Sequence, residues 1–420
     1  MSNRPIRVGV FSDSHVGCAV PKAIGDLRRD AFRKAFTAAI DGFIAHGVDY
    51  VFHGGDLFER RTMTPEDTVF VKDELQRLIN ARGEIKIFII RGNHDGTIEN
   101  SALDYVRHPL AKYLVVLGDE DVEGRPEIFD NGEVAVQGMG YTTYPAAKLE
   151  RVHDKLRVQF LCSKARYKFL IIHSFFEQQS GLPPQTPKHQ ILFSSAFMDI
   201  GFDFLFCGHM HRATPLMKLE GFYVLTPGAL ESVELSDETV HGYHILTLNG
   251  EPNDEFVPIR PAQTVRNLKV AAPDKQSEDW FIASGIDAAK RCVDEFHDRG
   301  LILRLILTGT VDGDKYHVEE KIFEALSKIK AASPNLLYCE IKNDLAMFSM
   351  PMELALAETP ESVYPKIFEL LPPEKQRKAV EIVEEVNGLL EEGASSVTGL
   401  LTDFSRKKIV EKWKALVGGG

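Results

Sequence analysis

Little in this chain ties it to an oxidising compartment, a membrane or a polyanion through charge. Its five cysteines, Cys18, Cys162, Cys207, Cys292 and Cys339, are an odd number among 420 residues. They form no Cys-x-x-Cys pair and no short spacing, which argues against a disulfide framework and for reduced thiols in a cytosolic protein. No apolar run reaches the length of a membrane span, and the apolar segment after Met1 is interrupted at Asp13, so neither a transmembrane helix nor a signal peptide is expected. Excess positive charge is missing too: 49 Lys+Arg face 61 Asp+Glu, a formal net charge of −12. Nucleic acids are held through basic footprints, so such a partner would have to meet a locally basic patch or bound cations. No internal repeat or low-complexity tract is apparent. What is present is a chain with 44% hydrophobic residues, too long for one compact core, and two or three domains are expected.

Five short motifs stand out in roughly the first half: Asp13-Ser14-His15, Gly54-Gly55-Asp56, Gly92-Asn93-His94-Asp95, His173 and Gly208-His209-Met210-His211. Each begins where a short apolar run ends. The runs are Ile6 to Phe11, Tyr50 to Phe52, Ile85 to Ile90, Phe169 to Ile172 and Phe202 to Phe206, and their composition predicts strands. In open α/β sheets the loops beyond the carboxyl ends of strands form the ligand crevice, so five strands would deliver these side chains to one rim. Carboxylate, imidazole and amide donors suit manganese, iron or zinc, whereas thiolates would select softer metals. Phosphoester hydrolysis near neutral pH needs a nucleophile and a counter-charge, and two divalent cations about 3.5–4 Å apart supply both.

In this order the motifs resemble the calcineurin-like metallophosphoesterase superfamily and, more narrowly, the SbcD-type nucleases, which include the meiotic-recombination-eleven nuclease of DNA double-strand-break repair. The narrower likeness rests on the helix Asp30 to Phe36 after the first motif, on Gly55-Asp56-Leu57-Phe58, and on Thr226-Pro227-Gly228-Ala229-Leu230-Glu231 followed by Gly242-Tyr243-His244-Ile245. It is sharp to about Arg260 and architectural beyond. The resemblance implies a four-layer α/β/β/α sandwich over residues 1–260, a small α/β capping domain that guides DNA over 265–352, and a C-terminal helical partner-binding segment over 360–420. It implies that Asp13, His15, Asp56 and His211 hold one cation and that Asp56, Asn93, His173 and His209 hold the other, with Asp56 bridging and manganese the expected metal. His94 would be the catalytic histidine, stabilising the phosphate or protonating the leaving sugar oxygen. The implied function is that of a nuclease processing DNA ends as a homodimer bound to an SbcC-type ABC ATPase with a coiled coil, in the cytoplasm or on the nucleoid. A phosphatase or small-molecule phosphodiesterase of the same superfamily is the alternative, and the acidic balance is natural for it.

One residue departs from the nuclease pattern. Where that family usually has histidine after Gly-Asp-Leu-Phe, this chain has Glu59, an acceptor that repels phosphate unless Arg60 or Arg61 holds it away. His53 either compensates by pointing into the site or is structural. Two basic runs are candidates for a DNA backbone: Lys148, Arg151, Lys155, Arg157, Lys164, Arg166 and Lys168, which precede the strand ending at His173, and the smaller Arg28, Arg29, Arg33 and Lys34. Beyond Arg260, Pro261 to Thr264 reads as a linker, followed by a β-α-β-α-β unit with strands at 266–270, 301–307 and 336–341 and helices to about His297 and from about His317 to Ala331. From about Pro360 the apolar spacing is helical.

Overall fold

All five apolar runs form strands, Ile6–Phe11, Tyr50–His53, Lys86–Ile90, Tyr167–His173 and Phe204–Gly208. The structure, a computed structural model, describes residues 4–97, 100–118, 128–179, 181–347, 375–376 and 378–383. The strands belong to two six-stranded sheets. The first runs in the order Asn253–Pro258, Gly242–Leu248, Ile6–Phe11, Tyr50–His53, Lys86–Ile90, Leu114–Leu117, its last four strands parallel. The second runs Thr214–Lys218, Tyr223–Thr226, Phe204–Gly208, Tyr167–His173, Val134–Met139, Phe129–Asp130, its middle four parallel.

Strand alternation sorts the apolar residues into three cores. Val8, Val10, Phe52 and Phe88 of the first sheet meet Val136, Phe169, Ile171 and Phe206 of the second in one cluster. Phe52 lies 4.9 Å from Phe169 between ring centroids. The opposite faces are covered by helices. Phe11, Val51, Ile87 and Ile89 pack with Phe36 and Phe43 of helix Gly25–His46 and with Leu75 and Ile79 of helix Pro65–Arg82. Leu170, Ile172 and Leu205 pack with Leu149, Leu156 and Phe160 of helix Pro145–Cys162. The layers are therefore α/β/β/α, and each fully buried Phe contributes roughly 1.5–3 kcal/mol. Local signals set the helix ends. Thr64 accepts a bond from the Asp67 N–H, Pro65 occupies the first turn, and Gly47, at φ 64°, closes the first helix.

Beyond the sandwich the expected β-α-β-α-β order appears as strand Gln263–Ala271, helix Glu278–Glu295, strand Gly300–Asp312, helix Lys315–Ala332 and strand Leu336–Met347. The segment read as a linker is corrected at its end: Gln263 and Thr264 are already strand, paired with Gly300 and Leu301. Gln263 is fixed there because its side chain accepts from buried Arg28 at 2.8 Å and donates to the Leu27 carbonyl at 3.0 Å. The chain divides into two compact units. The described parts of Met1–Ala271, Ile282–Thr308 and Glu319–Asp344 form the first, and those of Ala272–Phe281, Gly309–Val318 and Leu345–Gly420 the second. Within the second unit, Gln276 pairs with Val311, and the Glu278 carboxylate accepts from the Asp314 N–H and from His317, both at 2.6 Å. The helical segment expected over 360–420 lies outside the described residues apart from 375–376 and 378–383. All five cysteines are free, and among the described residues no helix is long and apolar enough to cross a membrane.

Candidate metal centre

Strand register brings the motifs level: Phe11 pairs with His53, and Gly208 with His173. The two sheets then touch at these ends through glycine. A Cβ on Gly208 would lie 2.1 Å from the Gly54 carbonyl oxygen; within the first sheet, one on Gly92 would lie only 2.0 Å from Asp56 Oδ1. Backbone strain is concentrated in the same place. Among the described residues the non-glycine positions with left-handed φ are Asp13 (49°), His15 (41°), Asp56 (54°) and His209 (85°), every one a residue the motifs singled out. Such conformations cost on the order of 1–3 kcal/mol each and persist where the surrounding structure enforces them, typically at functional sites.

The side chains converge. Asp13, His15 and His211 form one group, His15, Asp56 and His94 a second, and Asp56, His173 and His209 a third, with the donor atoms of each group within 4.8 Å of one another. Asn93 Oδ1 joins the third at 3.0 Å from His173 Nε2. All seven expected ligands and His94 are thus gathered at one rim, with Asp56 shared between groups. The donor set suits cations. His173 donates from Nδ1 to the Gly54 carbonyl at 2.7 Å, which leaves Nε2 facing Asn93 Oδ1 and, at 3.2 Å, Asp56 Oδ2. Three lone-pair atoms aimed at one point repel unless a proton or a cation lies among them. His15 Nε2 is buried without a hydrogen-bond partner and lies 3.9 Å from Asp56 Oδ2.

Electrostatics of the metal-free chain follow from that crowding. Burial disfavours charge on His173, but Asp56 and Asp13 outweigh it and hold the imidazole up at about 9. Burial raises Asp13 to about 6 against the pull of His173. For Asp56 burial acts upward, yet His173 and His15 hold the carboxyl well below its usual range. Burial also keeps His209 down at about 3 and His211 at about 4, so both are neutral and able to ligate.

Neighbouring residues hold this geometry. Asp95 is buried and accepts from the N–H groups of Gly92, Leu57 and Phe58 at 2.9, 3.3 and 3.1 Å, tying the second and third motifs together. His53 does not enter the site: the Gly55 N–H donates to its Nδ1 and its Nε2 donates to Ser14 Oγ, and burial lowers it to about 3. His94 donates from Nδ1 to the Glu59 carbonyl at 2.8 Å while its N–H reaches Asp56 Oδ1, also at 2.8 Å. That leaves His94 Nε2 as the ring atom available to a substrate. The expectation for Glu59 is corrected. Arg60 and Arg61 do not hold it away; its carboxylate accepts from His15 Nδ1 at 3.1 Å, and that bond overcomes burial and keeps the acid below its usual range.

The basic runs are corrected in part: the longer one at Lys164, Arg166 and Lys168, the smaller one at Arg28 and Arg33. Helix Pro145–Cys162 runs antiparallel to the strand it precedes, so Lys164, Arg166 and Lys168 lie at the opposite end of strand Tyr167–His173 from the metal rim, Lys168 about 17 Å along the chain from His173. Lys168 bonds the Phe160 carbonyl and Arg166 the Arg4 carbonyl. In the smaller run, Arg28 is buried against Glu231 and the carbonyls of Val20 and Ser232, while Arg33 pairs with Glu66 and Asp67. Sequence reasoning missed Tyr141, whose ring lies 5.6 Å from His209 and is 37% exposed. The signal was the apolar run Val134–Met139, whose end is a sixth strand terminus on this rim.

Residues 6–213 match the family model described as calcineurin-like phosphoesterase. Among curated proteins, DNA double-strand break repair protein Mre11 of Methanosarcina mazei is 28% identical over 264 residues, covering 59% of this chain and 37% of that protein. The protein of the same name from Halobacterium salinarum is 25% identical over 309 residues, covering 73% of this chain and 71% of its own. The uncharacterized metallophosphoesterase YhaO of Bacillus subtilis is 23% identical over 220 residues, covering 52% and 50%. The chain thus spans little more than a third of the first of these relatives. Its first half carries a calcineurin-like phosphoesterase domain.

Proposed function

We propose that this calcineurin-like phosphoesterase domain serves a two-metal, manganese-dependent DNA phosphodiesterase that processes ends at double-strand breaks. The observation that carries the reading is the gathering of Asp13, His15, Asp56, Asn93, His173, His209 and His211 at five separate strand ends, with the buried His15 Nε2 lacking a hydrogen-bond partner. Asp13, His15, Asp56 and His211 would hold one cation and Asp56, Asn93, His173 and His209 the other. When bound, the pair lowers the pKa of water and neutralises the phosphate oxygens. The chain's own groups do the rest. His94, anchored through Nδ1, presents Nε2 to the leaving oxygen and holds the proton that oxygen requires. Tyr141 offers an exposed ring beside His209, suited to stack a base next to the scissile phosphate.

DNA as substrate is supported by the relatives named as double-strand break repair proteins. On that likeness residues 265–352 guide DNA, residues 360–420 dock an SbcC-type ABC ATPase, and the protein works as a homodimer in the cytoplasm or on the nucleoid. The net charge of −12 favours the second reading, a phosphatase or small-molecule phosphodiesterase. Comparing turnover of linear duplex DNA, bis(p-nitrophenyl) phosphate and p-nitrophenyl phosphate with manganese decides between them. Hydrolysis of DNA and the diester supports the nuclease; strong preference for the monoester overturns it.

A further inference from the structure

Glu59 stands where the resemblance leads one to expect a histidine, and its side chain turns inward rather than toward solvent. Its Oε2 accepts from His15 Nδ1 at 3.1 Å, with the Glu59 side chain 19% exposed and the His15 ring 1%. A carboxylate can only accept there, so the bond assigns a proton to Nδ1 and leaves Nε2, 3.9 Å from Asp56 Oδ2, as the nitrogen a cation would take. That nitrogen is buried and has no hydrogen-bond partner. The equivalent imidazole on the other side of Asp56 is backed differently: His173 donates from Nδ1 to a neutral carbonyl, that of Gly54. The two halves of the site are therefore unequal in how their histidines are oriented and polarised.

Resting on the two-metal reading above, we propose that Glu59 is a positioning residue for one cation only, fixing the tautomer and orientation of His15 and strengthening its donor nitrogen. Carboxylates placed behind ligating imidazoles raise ligand basicity, and their removal typically weakens metal affinity 10–100-fold. The effect is confined to the Asp13, His15, Asp56, His211 half. His94 keeps its anchor in every variant, because that anchor is the Glu59 backbone carbonyl.

The test is manganese titration of the full chain followed by calorimetry and by the electron paramagnetic resonance of free Mn(II), for wild type, Glu59→Ala and Glu59→Gln. Wild type is expected to bind two ions. Glu59→Ala keeps one site unchanged and weakens the other 10–100-fold, and Glu59→Gln, which retains an acceptor without charge, falls between. At saturating manganese Glu59→Ala recovers wild-type kcat on bis(p-nitrophenyl) phosphate, because the residue acts through metal occupancy and not on the reacting phosphate. Two sites of wild-type affinity in Glu59→Ala overturn the proposal while leaving the two-metal reading intact, as does a kcat still depressed at saturation. A wild-type chain that binds fewer than two ions overturns the two-metal reading itself, and the proposal with it.

Discussion

Gly92→Ala puts the smallest possible group into the tightest contact of the site. The added Cβ would lie 2.0 Å from Asp56 Oδ1 and 2.4 Å from the Asp56 backbone nitrogen, where ordinary contact starts at 3.4 Å. Gly92 itself is not in the left-handed region, so the effect is steric and not conformational. Neither atom belongs to a flexible side-chain tip, because Asp56 is buried and its Oδ1 accepts from the His94 N–H. The carboxylate must therefore move by more than about 1 Å, and overpacking of this kind costs roughly 1–3 kcal/mol of stability. A displacement of that size at a catalytic centre costs about 100-fold in rate, close to 3 kcal/mol, and both cation positions share Asp56. The assay pairs manganese calorimetry with diesterase turnover. Gly221→Ala is the control: a Cβ there meets nothing within 4 Å but sits at φ 96°, so it should lower stability by about 1 kcal/mol with metal binding unchanged. A Gly92→Ala chain that binds two ions at wild-type affinity and turns over normally would refute the claim that Asp56 organises both halves.

The remaining predictions concern proton transfer, pH and the buried ties. His94→Ala should lower diester turnover about 100- to 10,000-fold with manganese stoichiometry intact; loss of an ion would make His94 a ligand instead of a proton donor. Manganese affinity should rise with pH, since His173 at about 9 and Asp13 at about 6 hold protons that a cation must displace. Between those values at least one proton leaves on binding, giving about tenfold per pH unit, with a steeper slope below; calorimetry in buffers of different ionisation enthalpy counts the protons, and an affinity independent of pH contradicts the assignment. Arg28→Ala strands the buried Glu231 carboxylate and should cost about 3–5 kcal/mol, lowering the calorimetric Tm by roughly 10 °C. A loss below about 1 kcal/mol would show that Arg28 is not the tie between the first helix and strand Gln263–Ala271.

The five strands and the donor set were legible because each apolar, β-branched run is followed within two residues by a glycine or a ligand, and because parallel sheets collect such ends on one rim. What stayed hidden depends on where a loop points a side chain. Left-handed φ at Asp56 sends the chain after it back toward the first motif, where Glu59 meets His15, and no pattern of residue types announces that. Charge runs mislead for a similar reason: Lys164 to Lys168 are near His173 in sequence, but a seven-residue strand separates them in space. Gln263 reads as linker because its neighbour is Pro261, while the partner that fixes it, Arg28, is 235 positions away.

The most direct measurement is anomalous diffraction at the manganese edge from crystals soaked in that ion. A two-metal centre gives two peaks about 3.5–4 Å apart, one on each side of Asp56, with His15 and His211 beside the first and Asn93, His173 and His209 beside the second. A single peak, or two peaks that do not share Asp56, would contradict it.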